Sequence, residues 1–476
     1  MSTERSRQDS NLRTWFRRPV LYPLSYGSEW RPPVYKRAVP APNAGDYRFP
    51  PMRVGIGILG GGVVGGSLAH KLLTESDVIT AKTGLDLELV KVAVRDLEKQ
   101  RPFPSSYATD RPEDVVDDPD VGLVVELMGG MEPARSLVLR ALDAGKPVVT
   151  ANKQLVAAEG PTLFQRAEAN GVSLLFEAAV GGGIPIIRPL SESLAGERIT
   201  SVMGIVNGTT NFILTKMSED GLPYADVLAE AQRLGYAEAD PTADVSGADA
   251  AAKAAILAGL AFGVWVDLDR VYMEGIEHIS STDIAFAARL GYVVKLLGVA
   301  ESTPDGVSVR VHPALVPDNH PLAAVRGAQN AVFVSGPALG ELLFSGPGAG
   351  GDPTATAVLG DVVTAARELL AHAPVAPRVR IGAGVVADFG QVDTCHYLRL
   401  EVDDAPGVLA AIAGAFGEAG VSIRSVWQEG RGEDATLLLI THAAPEAAHA
   451  KAQQRLAEID TVRQVASVIR VVGDTA

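Results

Sequence analysis

The stretch Gly235-Tyr236-Ala237-Glu238-Ala239-Asp240-Pro241, followed by Asp244, Ser246-Gly247-Ala248-Asp249 and Lys253, holds the residues best suited to chemistry. Four carboxylates crowd a loop punctuated by Gly and Pro, which leads into the apolar run at 250–260. That run is apolar around its whole circumference, so it is expected as a buried helix rather than a surface one. Asp249 and Lys253 are its only charges; they stand four apart and share one face. On an ordinary helix such a pair is solvated and of little consequence. Burial reverses that reading, because charge in apolar surroundings is unfavourable and seldom kept without a use. A lysine partly desolvated beside carboxylates can pass a proton near neutral pH.

The elements that must position this group are legible upstream. Residues 52–59 read as a short buried strand running into Gly60-Gly61-Gly62-Val63-Val64-Gly65, then a helix with Leu68, Leu72 and Leu73 on one face. Glycines between strand and helix let backbone N–H groups approach a pyrophosphate, so Gly60, Gly62, Val63, Val64 and Gly65 are candidate dinucleotide contacts. A second strand at 87–94 ends at Arg95, where a cation suits the 2′-phosphate of NADP; Asp96 beside it leaves a plain strand-end arginine as the other reading. Strands at 121–127, 147–150 and 172–177 alternate with helices at 133–144 and 154–169, the pattern of a parallel sheet. Lys153 and Glu177 stand just past strand ends, where such sheets gather their ligands. A loop at 345–354 carrying Gly348 and Gly350 precedes a helix at 355–371; it suits an anion, or is a flexible turn.

Bulk properties narrow the class. A length of 476 residues calls for two or three domains. A net charge of −15 disfavours nucleic acid and anionic membrane as partners, and no apolar span is long enough to cross a bilayer. The lone cysteine, Cys395, excludes an internal disulfide and fits a reducing cytoplasmic setting. Residues 1–51, with scattered arginines and prolines, are expected to be a disordered leader, and Met52 is expected to be the start of translation. Residues 372–395 read as a linker region. Residues 396–473 read β-α-β-β-α-β, a ferredoxin-like plan.

Together these motifs resemble homoserine dehydrogenases with a C-terminal ACT domain, over residue 52 to about 473. The most specific pieces are Val148-Val149-Thr150-Ala151-Asn152-Lys153, Glu177-Ala178-Ala179-Val180-Gly181-Gly182-Gly183-Ile184-Pro185, Asn207-Gly208-Thr209-Thr210-Asn211 and the Gly235–Lys253 group. The resemblance implies an α/β chain in three parts. A Rossmann-like doubly wound dinucleotide domain would span 52–184, completed by 336–371; an α+β substrate and dimerisation domain would span 185–335; the ACT domain would follow at 396–473. It implies NAD(P)H-dependent interconversion of L-aspartate 4-semialdehyde and L-homoserine, a step toward threonine, methionine and isoleucine. Lys253 would be the catalytic lysine, with Lys153 a second one near nicotinamide and substrate. Glu238 and Asp249 would bind substrate, and Asp244 would support them. Gly235, Gly348, Gly350 and Lys153 join the candidate cofactor contacts, with NADP expected and NAD possible. Glu177, Val180, Gly182 and Ile184 would form a sodium site built largely from backbone oxygens. Threonine is the expected effector at the ACT domain, and the expected assembly is a homodimer or homotetramer.

Two other readings stand beside this one. The first is a catalytically silent amino-acid sensor, against which intact Lys153, Glu238, Asp249 and Lys253 speak. The second is an oxidoreductase of a related amino-acid semialdehyde.

Overall fold

The computed structural model describes residues 52–371, 380–382, 384–430, 432 and 435–473. The expectations for residues 1–51, and for 372–379 within the linker region, fall outside these.

Six short strands form a parallel sheet in the order Ala108–Thr109, Leu85–Ala93, Met52–Leu59, Leu123–Glu126, Val148–Thr150 and Leu174–Leu175. This 3-2-1-4-5-6 order is that of a doubly wound dinucleotide fold, whose ligands bind beyond the carboxyl ends of the central strands. Alternate residues of the first strand face opposite layers. Ile56 and Ile58 pack with Leu68 and Leu72 of the Val63–Thr74 helix and with Ala355 and Val358 of the Gly351–Ala371 helix. Leu59 packs on the other side with Leu137 and Val138 of the Ala134–Asp143 helix and Leu155 of the Lys153–Ala169 helix. Covering both faces is what requires near-continuous apolar strands.

Some elements differ from the expectation. The strand at 172–177 shortens to Leu174–Leu175, because the chain turns into a 3-10 turn at Glu177–Ala179. There the Glu177 N–H goes to the Asp361 carboxylate, 2.7 Å away. The glycine loop at 345–354 shrinks to 348–350: the Gly340–Pro347 strand pairs antiparallel with Gln329–Gly336, and the next helix already begins at Gly351.

The second sheet is mixed. Its main path runs Gly340–Pro347, Gln329–Gly336, Ser201–Ile205, Tyr292–Thr303 and Gly306–Pro317, and the Ala248–Phe262 helix packs across the last two strands. As the sequence predicts, that helix is buried on all sides, from Ala250 to Gly259 with Lys253 half-buried. The C-terminal strands Asp393–Val402, Ile423–Glu429, Thr436–Thr441 and Val462–Val471 stand in the order 4-1-3-2, with the helices Val408–Ala419 and Glu446–Ala457 packed together. This is the ferredoxin-like plan. The expected helix at 444–458 is clipped at its start because Ala444–Pro445 pairs with Asp393 and Thr394.

The C-terminal sheet does not hang free. Its last strand pairs in parallel with the substrate domain, Arg470 beside Ala314 and Val471 beside Leu315, so one sheet runs through both domains. The segment before it is also tied down: Val307 donates to the Val385 carbonyl, Ala387 donates to that of Val307, and the Phe389 ring stacks on Tyr272.

Candidate active site

Asp249 is the centre of the site. It lies in the first turn of the Ala248–Phe262 helix and is 9% exposed. One carboxylate oxygen takes the Lys153 ammonium at 2.7 Å. The other takes the Lys253 ammonium at 2.7 Å and the Asn207 side-chain amide at 2.8 Å. Burial pushes the Asp249 carboxyl up, but the two lysines outweigh it and hold it well below the usual carboxylate range. Lys253 donates a second bond to the Val206 carbonyl at 2.6 Å, which fixes its side chain at the mouth of the helix.

Each lysine has its own support. Lys153 opens the Lys153–Ala169 helix, capped by Asn152, whose side chain accepts from the Leu155 N–H. The preceding strand end is braced by Glu126, which is fully buried. Its carboxylate accepts from Thr150 Oγ1 at 2.6 Å and from the Met128 and Gly129 N–H groups. Burial pushes the Glu126 carboxyl up, opposed by these bonds. Asn207 caps the Gly208–Asp220 helix and offers its amide to both Asp244, at 2.7 Å, and Asp249. Neither Glu126 nor the Asn207 side chain stands out in the sequence as a site residue. The Asn-Gly-Thr-Thr-Asn motif was the available signal for Asn207; a lone strand-end glutamate gives none for Glu126.

Of the carboxylates in the loop, only Asp244 and Asp249 are brought together. Asp240 bonds its own Thr242. Glu238 is exposed, its backbone carbonyl accepting from Gln232. Gly235 ends the Tyr224–Leu234 helix with φ +79°.

Of the dinucleotide candidates, Gly60, Gly62 and Arg95 line a cleft of about 690 Å³ beyond the ends of the first two strands, together with Gly61, Lys99 and Arg101 among others, whereas Lys153, Gly235, Gly348 and Gly350 do not line it. Gly65 must lack a side chain, since a Cβ there would overlap the Gly60 carbonyl. This close approach lets the helix start directly under the cleft, with Val63 79% exposed at its first turn. Such a cradle fits a pyrophosphate at the helix N-terminus. Gly351, after Gly348 and Gly350, abuts Val63, so the second glycine loop also reaches this edge.

Glu177 is 5% exposed, and its carboxylate accepts the N–H groups of Ile186, Ile187 and Arg188. Arg188 also bonds Asp361, whose carboxyl burial pushes up to about 7. The carbonyls of Val180, Gly182 and Ile184 accept no hydrogen bond among the described residues.

Three family models match the chain: the homoserine dehydrogenase NAD-binding domain over residues 60–177, homoserine dehydrogenase over 185–363, and the ACT domain over 396–459. A homoserine dehydrogenase of Corynebacterium glutamicum is 48% identical over 441 residues, covering 91% of this chain and 99% of its own. One from Bacillus subtilis is 43% identical, covering 88% and 98%. The crystal structure of a homoserine dehydrogenase from Thiobacillus denitrificans superposes with a TM-score of 0.85 at 43% identity, covering 89% of this chain and 99% of that one. A hyperthermophilic archaeal homoserine dehydrogenase in complex with NADPH reaches 0.56 at 29% identity, covering 67% and 98%. With a doubly wound domain, a buried Asp–Lys centre and a C-terminal ACT domain in one chain, this protein belongs to the homoserine dehydrogenase family.

Proposed function

We propose that the chain interconverts L-aspartate 4-semialdehyde and L-homoserine, with NADP(H) as the favoured nicotinamide. The observation that carries this is the Lys153–Asp249–Lys253 cluster at the edge between the two domains. When bound, the nicotinamide supplies or accepts the hydride. In the reducing direction the carbonyl oxygen gains negative charge, and an ammonium within reach both stabilises that charge and donates the proton. Lys253 is our proton donor: Asp249 and the Val206 carbonyl engage two of its three ammonium N–H groups, which leaves the third for a substrate oxygen. Lys153 enters from the dinucleotide domain and acts as partner or relay. Asp249 fixes both ammoniums and offers negative charge to the substrate amino group.

Arg95 and Lys99 in the cleft support NADP over NAD, since both present cations near the second strand end. Sodium would be held by the bared carbonyls of Val180, Gly182 and Ile184, with Glu177 bracing the turn; oxygen donors suit a hard cation. Threonine is our reading of the ACT effector, near the Asp404–Gly407 turn that precedes the Val408–Ala419 helix. An exposed edge strand, Ile423–Glu429, supports assembly into a homodimer or homotetramer. Among the described residues no helix is long and apolar enough to cross a membrane.

The test is NADP-dependent oxidation of L-homoserine by wild type and by Lys253→Ala. Turnover in the former and its collapse in the latter support the reading. A folded wild type inactive with both NADP and NAD points to a sensor or another substrate.

A further inference from the structure

Asn330 carries a side-chain amide that is buried and unused. It is 1% exposed, and neither Nδ2 nor Oδ1 has a hydrogen-bond partner among the described residues. Native folds rarely leave both ends of a buried amide unpaired without a reason. Asn330 stands on the Gln329–Gly336 strand opposite Gly346. A Cβ on Gly348 would overlap its carboxamide, and a Cβ on Gly208 would come within 3.5 Å of its Oδ1. The Gly348 carbonyl in turn fills the space a Cβ on Gly182 would need.

The amide is therefore enclosed where three glycine-bearing segments meet. One is the turn carrying Gly182. Another is the start of the Gly208–Asp220 helix, whose cap Asn207 holds Asp249. The last is the 348–350 turn, which leads to Gly351 against Val63 of the dinucleotide loop. Its atoms are too enclosed for a ligand to touch, so its partners must be the chain's own. The N–H groups of Ala349 and Gly350 donate no hydrogen bond among the described residues, whereas that of Gly348 closes the strand pairing of Gln329 with Pro347. Unpaired donors thus lie beside an unpaired amide.

We infer that Asn330 is a positioning residue for the nicotinamide dinucleotide. Its amide pairs with the backbone of the 348–350 turn only when the cofactor is bound, and so fixes that turn against it. This rests on the nicotinamide-dependent reading above. The freedom of Gly348 is what makes the arrangement possible, because any side chain there would expel the amide.

Two measurements test it. In wild type, hydrogen exchange at Ala349 and Gly350 should slow on addition of NADPH; unchanged exchange with NADPH bound overturns the inference. Asn330→Leu removes an unpaired amide, so its thermal midpoint without cofactor should match or exceed wild type. Its NADPH dissociation constant, read by cofactor fluorescence, should rise about tenfold, equivalent to about 1.4 kcal/mol. KM for homoserine at saturating NADPH should hold steady. A purely structural asparagine would instead lower the midpoint and leave cofactor affinity unchanged, which overturns the proposal. Wild type that binds no nicotinamide cofactor would defeat the functional reading itself, a result distinct from either of these.

Discussion

Lys153 and Lys253 reach the same carboxylate from helices in two different domains, each 2.7 Å from Asp249. Lys153 opens a helix of the dinucleotide layer, while Lys253 lies one turn into the buried helix of the substrate layer. Asp249 is thus both the counter-ion of the site and a clasp across the domain edge. Two ammoniums with no carboxylate between them would repel, so the carboxylate is what allows both to stand there.

Replacing Asp249 with Asn keeps its size and removes its charge. Turnover should fall by about 100-fold or more, in the range expected when a proton-transfer group loses its position. Stability should fall by roughly 2–3 kcal/mol, because Lys253 is left partly buried beside a neutral group. Lys153→Ala and Lys253→Ala should each cost turnover heavily, and the double variant should cost little more, since groups that act as a unit are not additive. Steady-state rates with a full double-mutant set check this. Strictly additive losses would mean that the lysines act separately.

Arg95 and Lys99 line the dinucleotide cleft near the second strand end. If they meet a 2′-phosphate, Arg95→Ala should raise KM for NADPH about tenfold or more and leave KM for NADH nearly unchanged. The NADPH effect should shrink at high salt, because exposed charges are screened within about 8–10 Å under ordinary buffer conditions. Equal losses for both cofactors would assign Arg95 to the architecture instead.

Much of this architecture was legible in the chain. Apolar strands alternating with amphipathic helices specify the parallel sheet, and an apolar run with one Asp–Lys pair specifies a buried helix with a reactive face. What escaped was set by tertiary partners. The strand at 172–177 ends early because Asp361, far along the chain, captures the Glu177 N–H. Lys295 reads as an ordinary strand lysine, yet it is 1% exposed and donates to Asn211 Oδ1 and the Val325 carbonyl, and burial pushes it down to about 8. The joining of two domain sheets at Ala314 and Arg470 is a pairing that no local pattern announces. Glu238 carries the motif's spacing but stands exposed, its backbone carbonyl accepting from Gln232.

Arg470 fastens that junction. It bonds both oxygens of Glu446, at 2.7 and 3.0 Å, reaches Glu274 at 2.6 Å and the Tyr272 hydroxyl at 3.0 Å, and lies over the Phe389 ring. Against burial, the hydrogen bond from His396 and the bonds and charge of Arg470 hold the Glu446 carboxyl well below its usual range. Arg470→Met should destabilise by roughly 3–5 kcal/mol, because it strands a buried carboxylate. Adding Glu446→Gln should recover part of that loss. Limited proteolysis around residues 384–392 should accelerate in the single variant and slow again in the double. If the two changes simply add, the pair is not coupled.

Acid should loosen the same junction through His449. Its ring stacks on His396 at 3.9 Å, its Nε2–H donates to the Thr394 carbonyl at 2.8 Å, and Glu446 and Arg470 stand close by. Burial pushes His449 down to about 4 from 6.5, and the charge of His396 adds to that. A folded value below the unfolded one means that the unfolded chain takes up the proton first. The stability contributed by neutral His449 is therefore complete above about pH 6.5 and is lost as pH falls toward 4. The sum is about 3 kcal/mol over that window. The depressed Glu446 carboxyl acts in the same direction at lower pH, as its buried pairings are neutralised. Unfolding by urea across pH 7 to 4 should show this fall in wild type and a flatter limb in His449→Gln. Parallel curves for the two proteins would remove His449 from the acid response and leave Glu446 and the other carboxylates to account for it.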